Sequence, residues 1–277
     1  MLQFSATLRS SCHTLRHSKS REQDIGPSVA LAFPHSIRTK EIFLYDMNEY
    51  KLRDEVMRML NELDSNLIGD FQNQHTLESF RVPATALVPV KKTKDKSGTG
   101  EESQKTLSDR VATDERFLAA FDRLVCNVIL PYFKKRLAKN DLIKSVEEDT
   151  TFWYQRPPTL RVQPGPSVRH VKAHHDASYG HQDGELNFWM PLTDPKLTQT
   201  DLWLESEPGK EDYQPLGVKL GEIAAFHGSS CMHYVPANST EYTRISLDFR
   251  VGVEGYFDPD WKMRGTISDH IRRKVIS

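Results

Sequence analysis

The chain has 277 residues, enough for one large domain with a cover or for two small domains. Its 37 Lys and Arg nearly balance its 38 Asp and Glu, so the formal net charge is -1 and there is no basic excess of the kind that nucleic-acid-binding proteins carry. Three widely spaced cysteines argue against a disulfide scaffold, and no apolar stretch approaches the roughly 20 residues of a membrane helix.

The first 39 residues differ in composition from the rest of the chain. The opening MLQFSATLRSSCHTLRHSKSR is rich in arginine and serine, and Glu22 is the first acidic residue. This composition is typical of an organellar transit segment, and it suits a disordered basic tail equally well. We therefore expect a cytoplasmic or organellar protein, a disordered or targeting tail over 1–39, and no harm to folding when Met1 to Arg38 are removed.

Residues 40–150 predict a helical cover. Apolar residues recur at helical spacing early in this region: Leu52, Val56, Leu60 and Leu63. A polar run at 91–106 has no apolar residue and predicts a flexible loop. A second helix is predicted to begin near Thr113, and Pro131 is expected to kink it or end it.

Residues 151–258 predict a β-rich core. Short segments with β-branched and aromatic residues alternate there with Pro and Gly: TLRVQPGPSVRHVKAHH, ELNFWMPLT, DLWLES, EIAAFHG and TRISLDFRVGV. Several strands at short intervals indicate an antiparallel barrel or a double-sheet jelly roll. The predicted fold class is α+β, and residues 259–277 are expected to form a C-terminal tail.

A candidate metal site begins with the segment VRHVKAHHD. Alternate side chains of a strand share a face, so His174 and Asp176 are expected to lie side by side. The sequence contains a second His-x-Asp pair, His181 and Asp183, but Gly184 follows it directly and Asp-Gly favours a turn. The first pair is the better candidate.

The third ligand is expected downstream, where His227 and His233 are the candidates. Arg244 favours His233, because 244 − 233 = 11 residues allow a turn and a return strand beside it. The planar guanidinium of arginine suits the far carboxylate of a dicarboxylate co-substrate, and Ser246 lies on the same strand face. Two histidines and one carboxylate hold non-haem Fe(II) with open positions for co-substrate and oxygen.

These segments also resemble a known family. HHDASYGHQDGELNFWMPLTD, then GEIAAFHG, MHYVPANST and TRISLDFRV, resemble the phytanoyl-CoA-hydroxylase-like oxygenases, in particular their streptomycin biosynthesis protein G-like branch. The likeness spans about Phe152 to Asp258. It implies a double-stranded β-helix, of the jelly-roll or cupin-like barrel type, in which iron is bound by three residues and 2-oxoglutarate by one. On this chain those residues are His174, Asp176 and His233 for iron, and Arg244 for 2-oxoglutarate.

The resemblance further implies the reaction. Such a dioxygenase uses Fe(2+), 2-oxoglutarate and O2 to oxidise a small polar metabolite or natural-product intermediate, and it releases succinate and CO2. The presence of the Asp176 carboxylate favours hydroxylation, or desaturation or cyclisation by the same oxidant. Side chains near the ligands are the candidates for substrate contact: Tyr179, His181, Glu185, Asn187 and Trp203.

Two alternatives stay open at this point. The first is a cupin-like metal-dependent enzyme that does not use 2-oxoglutarate, for which Arg244 and Ser246 would be dispensable. The second is a non-catalytic jelly-roll binding module, which would not bind iron. Neither the oligomeric state nor the substrate follows from the sequence.

Overall fold

The computed structural model describes most of the chain: residues 31–63, 76–80, 107–166, 168, 170–261 and 271–277. The predicted loop at 91–106 and residues 1–30 of the predicted tail lie outside the described residues. Within the described ranges, no helix combines the length and the apolar character that crossing a membrane requires.

The helices lie mostly before the strand-rich region: α1 (His35–Arg38), α2 (Leu52–Leu63), α3 (Glu115–Leu124), α4 (Leu130–Lys139) and α5 (Pro195–Thr198). Residues 107–113, directly before α3, are also helical. The predicted helix near residue 52 is thus present. The next one is capped by Asp114, not Thr113, since the Asp114 carboxylate accepts a hydrogen bond from the Phe117 backbone N (2.9 Å). A π-helical turn, Val125–Ile129, separates α3 from α4. Pro131 is the second residue of α4, directly after this π-helical turn, so the regular α-helical hydrogen bonding is interrupted next to the proline.

The described part of the chain contains eleven strands, in this order: β1 (Glu41–Leu44), β2 (Thr151–Gln155), β3 (Thr159–Gln163), β4 (Val171–His174), β5 (Glu185–Pro191), β6 (Trp203–Leu204), β7 (Gln214–Pro215), β8 (Glu222–Phe226), β9 (His233–Val235), β10 (Arg244–Val253) and β11 (Arg272–Ile276). They form an antiparallel α+β fold with two sheets. The larger sheet has the order β1-β8-β5-β10-β2-β11, with β3 also paired to β10, and the smaller has the order β4-β9-β6-β7.

The two faces of β10 have opposite chemistry. Its odd-numbered residues from Ile245 to Val251 are apolar and belong to the main hydrophobic core. Phe249, for example, packs edge-on against Phe121 of α3, with ring centroids 4.9 Å apart. The even-numbered residues from Arg244 to Arg250 are polar or charged, because side chains alternate across a strand. The helices therefore cover one face of the larger sheet and leave its polar face toward the site described below.

Three sequence predictions need correction at the boundaries. Phe33 and Ile37, in the segment predicted as a tail, are buried in the main core, so we now expect removal through Arg38 to destabilise the fold. Within the predicted helical cover, β1 pairs with β8 as a strand of the larger sheet. The predicted C-terminal tail contains β11, which pairs with β2. Each of these segments has only four or five residues, too few for a periodic pattern to identify it.

Candidate metal centre

Three potential ligands converge where β4 and β9 meet. His174 ends β4 and lies directly opposite His233, the first residue of β9. Asp176 follows in a short 3-10 turn, and its backbone N donates to the Gly228 carbonyl oxygen (2.8 Å). The pairing of two strands and one turn thus brings together residues that are 57 positions apart in sequence (233 − 176).

The three side chains have the spacing of a single-ion site. The Asp176 Oδ1 atom lies 3.8 Å from the Nε2 of His174 and 3.6 Å from the Nε2 of His233. One ligand atom from each residue lies within 4.8 Å of the others. Asp176 and His233 are buried and His174 is partly exposed, so the site is closed on one side and open on the other. Two imidazoles and a carboxylate in this arrangement can hold one divalent metal ion.

Backbone carbonyls orient both histidines. The Nδ1 of His174 donates to the Lys172 carbonyl (2.8 Å), and the Nδ1 of His233 donates to the Cys231 carbonyl (3.1 Å). A carbonyl oxygen only accepts, so the proton is on Nδ1 and the Nε2 lone pair faces the other ligands. Burial lowers the pKa of His233 despite the opposing influence of Asp176, which favours the neutral imidazole that a metal requires.

Asp176 is held by buried donors on the side away from the histidines. Its Oδ2 accepts from Nε (2.9 Å) and Nη2 (2.7 Å) of Arg250 and from Nδ2 of Asn187 (2.6 Å). Burial alone would raise the pKa of Asp176, but the charge of Arg250 and the hydrogen bond from Asn187 oppose it, and the pKa is lowered. The carboxylate is therefore ionised, with Oδ1 facing the histidines.

Arg244 supplies a second recognition element. Its Nε and the Ser246 Oγ are buried and hydrogen-bond to none of the described residues. The guanidinium carbon lies 5.4 Å from the ring centroid of Trp189. Burial lowers the pKa of Arg244 to about 10, with Asp201 and Asp248 opposing it, so the side chain stays charged at neutral pH. A buried cation with a free donor beside a free hydroxyl suits an anionic ligand.

A cavity of about 580 Å³ connects the potential metal ligands to Arg244. The three potential ligands line it, as do Arg244 and Arg250. Other parts of its wall are polar, among them Gln163, His170 and the ion pair of Arg161 with Asp248 (2.9 Å). The volume lies within the range of small-molecule sites.

The structure places two other candidate metal ligands, His227 and Asp183, away from the three potential ligands. His227 is buried, with its Nε2 2.8 Å from the Asp183 carbonyl and its Nδ1 2.6 Å from the Ser230 hydroxyl. The Asp183 carboxylate accepts from Arg38 (2.7 Å), so it ties the N-terminal segment to the core. Neither residue joins the metal cluster formed by described residues.

The predicted substrate contacts fall into separate groups. His181 bonds Glu185 (3.1 Å), Glu185 pairs with Arg272 (2.8 Å), and this buried cluster does not line the cavity within the described part of the chain. Tyr179 is exposed, with its ring centroid 5.2 Å from that of His174, and it stands at the open side of the site. Asn187 lines the cavity.

Trp203 packs away from the three potential ligands. It stacks on Tyr234, with ring centroids 5.9 Å apart, and it is absent from the described cavity wall.

Sequence reasoning missed the part that Arg250 plays. Arg250 is six positions after Arg244 on the same strand, an even separation (250 − 244), so strand alternation places both on one face. That signal was available, but nothing in the sequence identifies which carboxylate the arginine would meet.

No family model matches the chain. The streptomycin biosynthesis protein StrG of Streptomyces griseus is 32% identical over 173 residues, which cover 58% of this chain and 78% of StrG.

Two solved structures are similar at identities too low to indicate a shared activity. The first is a nickel complex of the non-heme monooxygenase ThoJ, with TM-score 0.45 and 14% identity over 83% of this chain and 82% of that one. The second is a prolyl-4-hydroxylase of Pseudomonas putida, with TM-score 0.38 and 13% identity over 78% of this chain and 88% of that one. By its identity to StrG and the share of StrG that it spans, the chain belongs to the family of the streptomycin biosynthesis protein StrG.

Proposed function

We propose that this protein is an iron(II)- and 2-oxoglutarate-dependent dioxygenase that hydroxylates a small polar metabolite or natural-product intermediate. The observation that carries the proposal is the cavity that joins a two-histidine, one-carboxylate cluster to a buried arginine whose Nε has no hydrogen-bond partner among the described residues. His174, Asp176 and His233 would hold Fe(2+), and Arg244 with Ser246 would bind the far carboxylate of 2-oxoglutarate.

The donor set fits iron. Both histidines present Nε2, and Asp176 presents one oxygen, so these three protein ligands would hold the ion and leave room on it for other molecules. Bound iron with 2-oxoglutarate supplies the oxidising chemistry, in which O2 converts 2-oxoglutarate to succinate and CO2 and a substrate C–H to C–OH. The chain's own residues orient the ligands, neutralise the co-substrate and keep water from the buried side.

The strand order supports the double-stranded β-helix. From β3 to β10 the larger sheet takes strands in the order β3-β10-β5-β8 and the smaller in the order β4-β9-β6-β7. Successive strands therefore alternate between two four-stranded sheets, apart from the hairpin of β6 and β7. This is the pattern of an eight-strand jelly roll, and it supports a site that lies between the two sheets.

Polar groups on a cavity wall that also carries many apolar side chains support a substrate with polar substituents. Arg161 and Asp248 offer a cation and an anion on the cavity wall, and Gln163 and His170 add hydrogen-bonding groups. The name of StrG refers to antibiotic biosynthesis, which agrees with a small-molecule substrate. We propose that Tyr179, which lies beside His174 at the open side of the site, contacts the substrate.

The test is anaerobic addition of Fe(II) and 2-oxoglutarate to metal-free protein, followed by the visible charge-transfer band of the chelate. We expect the band in the wild type, no band in His233→Ala, and at least a tenfold higher 2-oxoglutarate requirement in Arg244→Ala. Arg161→Ala is the matched control, because it removes another arginine of the same cavity and should leave the co-substrate requirement within about twofold.

Two outcomes would contradict the proposal. A folded wild-type protein that gives no band would exclude the chelate. Iron binding with a 2-oxoglutarate response that Arg244→Ala leaves unchanged would favour a metal-dependent enzyme of another type.

A further inference from the structure

The hydrogen bonds of Asp176 are all on one side of its carboxylate. Arg250 gives two and Asn187 gives one, and all three go to Oδ2. No described residue donates a hydrogen bond to Oδ1, which faces the two histidines instead. One oxygen of the carboxylate is thus hydrogen-bonded, and the other is available to a metal ion.

The contact with Arg250 differs from a common arginine–carboxylate pair. A guanidinium that meets a carboxylate frequently gives one hydrogen bond to each oxygen. Here Nε and Nη2 of Arg250 both point at the same oxygen, at 2.9 and 2.7 Å. Both side chains are buried, so water competes little for these hydrogen bonds.

The donors are themselves fixed from behind. The Nη1 of Arg250 donates to the Gln155 side-chain oxygen (3.1 Å), and the Gln155 amide donates to the Thr159 hydroxyl (3.0 Å). The Oδ1 of Asn187 accepts from the Gly228 backbone N (3.1 Å). Strands β2, β5 and β10 and the turn at Gly228 therefore all contribute to the position of one carboxylate oxygen.

We propose that Arg250, assisted by Asn187, is a positioning residue that restricts Asp176 to one metal-binding oxygen. This inference rests on the proposed function. Because Oδ2 is committed to three donors, only Oδ1 is available to the ion, and three coordination positions stay open for 2-oxoglutarate and O2. When Arg250 is absent, Asp176 can bind the metal through both oxygens and occupy a position that the co-substrate needs.

The experiment uses Mn(II) as an air-stable substitute for iron and compares Arg250→Gln with the wild type. Mn(II) binding is followed by the electron paramagnetic resonance of the free ion, and 2-oxoglutarate binding to the Mn(II)-loaded protein by calorimetry. We expect Arg250→Gln to bind Mn(II) and to show at least a tenfold higher Kd for 2-oxoglutarate. Water proton relaxation of its Mn(II) complex should fall, because the second carboxylate oxygen replaces a bound water.

Two further variants make the result specific. Arg272→Gln is the matched control, since it also breaks a buried ion pair, between Arg272 and Glu185 (2.8 Å), without touching a metal ligand. Its 2-oxoglutarate Kd and its relaxation should stay within about twofold of the wild type. Arg250→Lys keeps the charge but not the paired donors, so it should raise the Kd at least threefold, and it serves as the test if Arg250→Gln does not fold.

The outcomes separate this inference from the proposed function. Wild-type binding of Mn(II) and 2-oxoglutarate, with the folded Arg250 variants unchanged, would overturn the inference alone. An equal loss in Arg272→Gln would overturn it too, because a general structural effect would then explain the result. A wild-type protein that binds neither Mn(II) nor 2-oxoglutarate would overturn the proposed function and this inference with it.

Discussion

Gly228 is packed directly against the residues that hold Asp176. Its backbone N donates to Asn187 (3.1 Å), and its carbonyl accepts from the Asp176 backbone N (2.8 Å). A Cβ atom at this position would lie 2.6 Å from the Asn187 amide nitrogen, closer than real Cβ contacts. A side chain as small as a methyl group therefore has to displace Asn187. Asp176 is hydrogen-bonded to both Asn187 and Gly228, so it would be displaced as well.

The first prediction is that Gly228→Ala weakens Mn(II) binding by about tenfold or more, as changes around metal ligands typically do. Titration of the free ion measures it. Gly209→Ala is the control, because a Cβ there meets nothing within 4 Å and only its positive φ of 79° adds strain. We expect that control to lose a little thermal stability and no metal affinity. Equal metal affinities in both variants would contradict the prediction.

A second prediction concerns the ion pair of Glu185 and Arg272, which are both buried. Arg272→Gln leaves the carboxylate without its cation, and breaking such a pair costs about 3–5 kcal/mol. His181 remains as a hydrogen-bond partner, so we expect the lower end of that range. Urea unfolding at pH 7 gives the free energy of unfolding for the variant and the wild type.

The pH dependence of this pair has a definite sign. Burial would raise the pKa of Glu185, but Arg272 and His181 outweigh it and the folded pKa is lowered. Such a group stabilises the fold fully above its unfolded pKa of about 4.3, and the stabilisation is lost as the pH falls through the folded pKa. The difference between Arg272→Gln and the wild type should therefore shrink below pH ~4. A difference that stays constant with pH would contradict the ionised pair.

At the scale of elements, α1 anchors the N-terminal segment to the core. Phe33 stacks on Tyr256 with ring centroids 4.9 Å apart and lies edge-on to Phe133 at 6.1 Å, and Ile37 is fully buried. The Phe33 backbone N and the Arg38 side chain both donate to the Asp183 carboxylate. The segment thus contributes both apolar packing and polar contacts.

The third prediction compares two truncated chains. A chain that begins at residue 31 keeps every contact described for α1, whereas one that begins at residue 39 loses Phe33, Ile37 and Arg38. Since removal of a buried Phe side chain alone costs about 3–5 kcal/mol, we expect the shorter chain to unfold at a clearly lower temperature. Calorimetry of both chains and of Phe33→Ala measures the effect. Equal midpoints would show that α1 adds nothing to stability.

The elements that the sequence predicted are the long, periodic ones. Leu52, Val56 and Leu60 repeat at helical spacing over three turns, and α2 forms there with these residues buried. β1 and β11 were missed, because a strand of four or five residues at a sheet edge is defined by its partner. Ile42 and Leu44 of β1 are exposed, so that strand has no hydrophobic alternation of the kind that sequence analysis detects.

At the scale of the whole molecule, the cluster of His174, Asp176 and His233 could be predicted because each of these residues carries a local signal in the sequence. The His-x-Asp pair ends one strand and His233 begins the neighbouring one. The position of Arg250 against Asp176, 74 residues away, depends on how the two sheets face each other. Strand alternation could at most have indicated on which face Arg250 lies, because a pairing between sheets is fixed by the tertiary fold.

Ligand binding should therefore be visible in the stability of the entire fold. A ligand that binds only the native state at one hundred times its Kd adds about 2.7 kcal/mol, which corresponds to roughly 5–10 °C for a domain of this size. The fourth prediction is that Mn(II) raises the unfolding midpoint of metal-free protein and that 2-oxoglutarate raises it further only when metal is present. Calorimetry with and without a chelator measures both steps.

Two variants assign the two steps to their residues. His233→Ala should lose both increments, because it removes a metal ligand on which the co-substrate depends. Arg244→Ala should keep the metal increment and lose the one from 2-oxoglutarate, because its guanidinium contacts no metal ligand and only the far carboxylate would miss it. An increment from 2-oxoglutarate that is equally large without metal would mean that Arg244 and Ser246 bind the dicarboxylate alone, and the two halves of the cavity would then be independent sites.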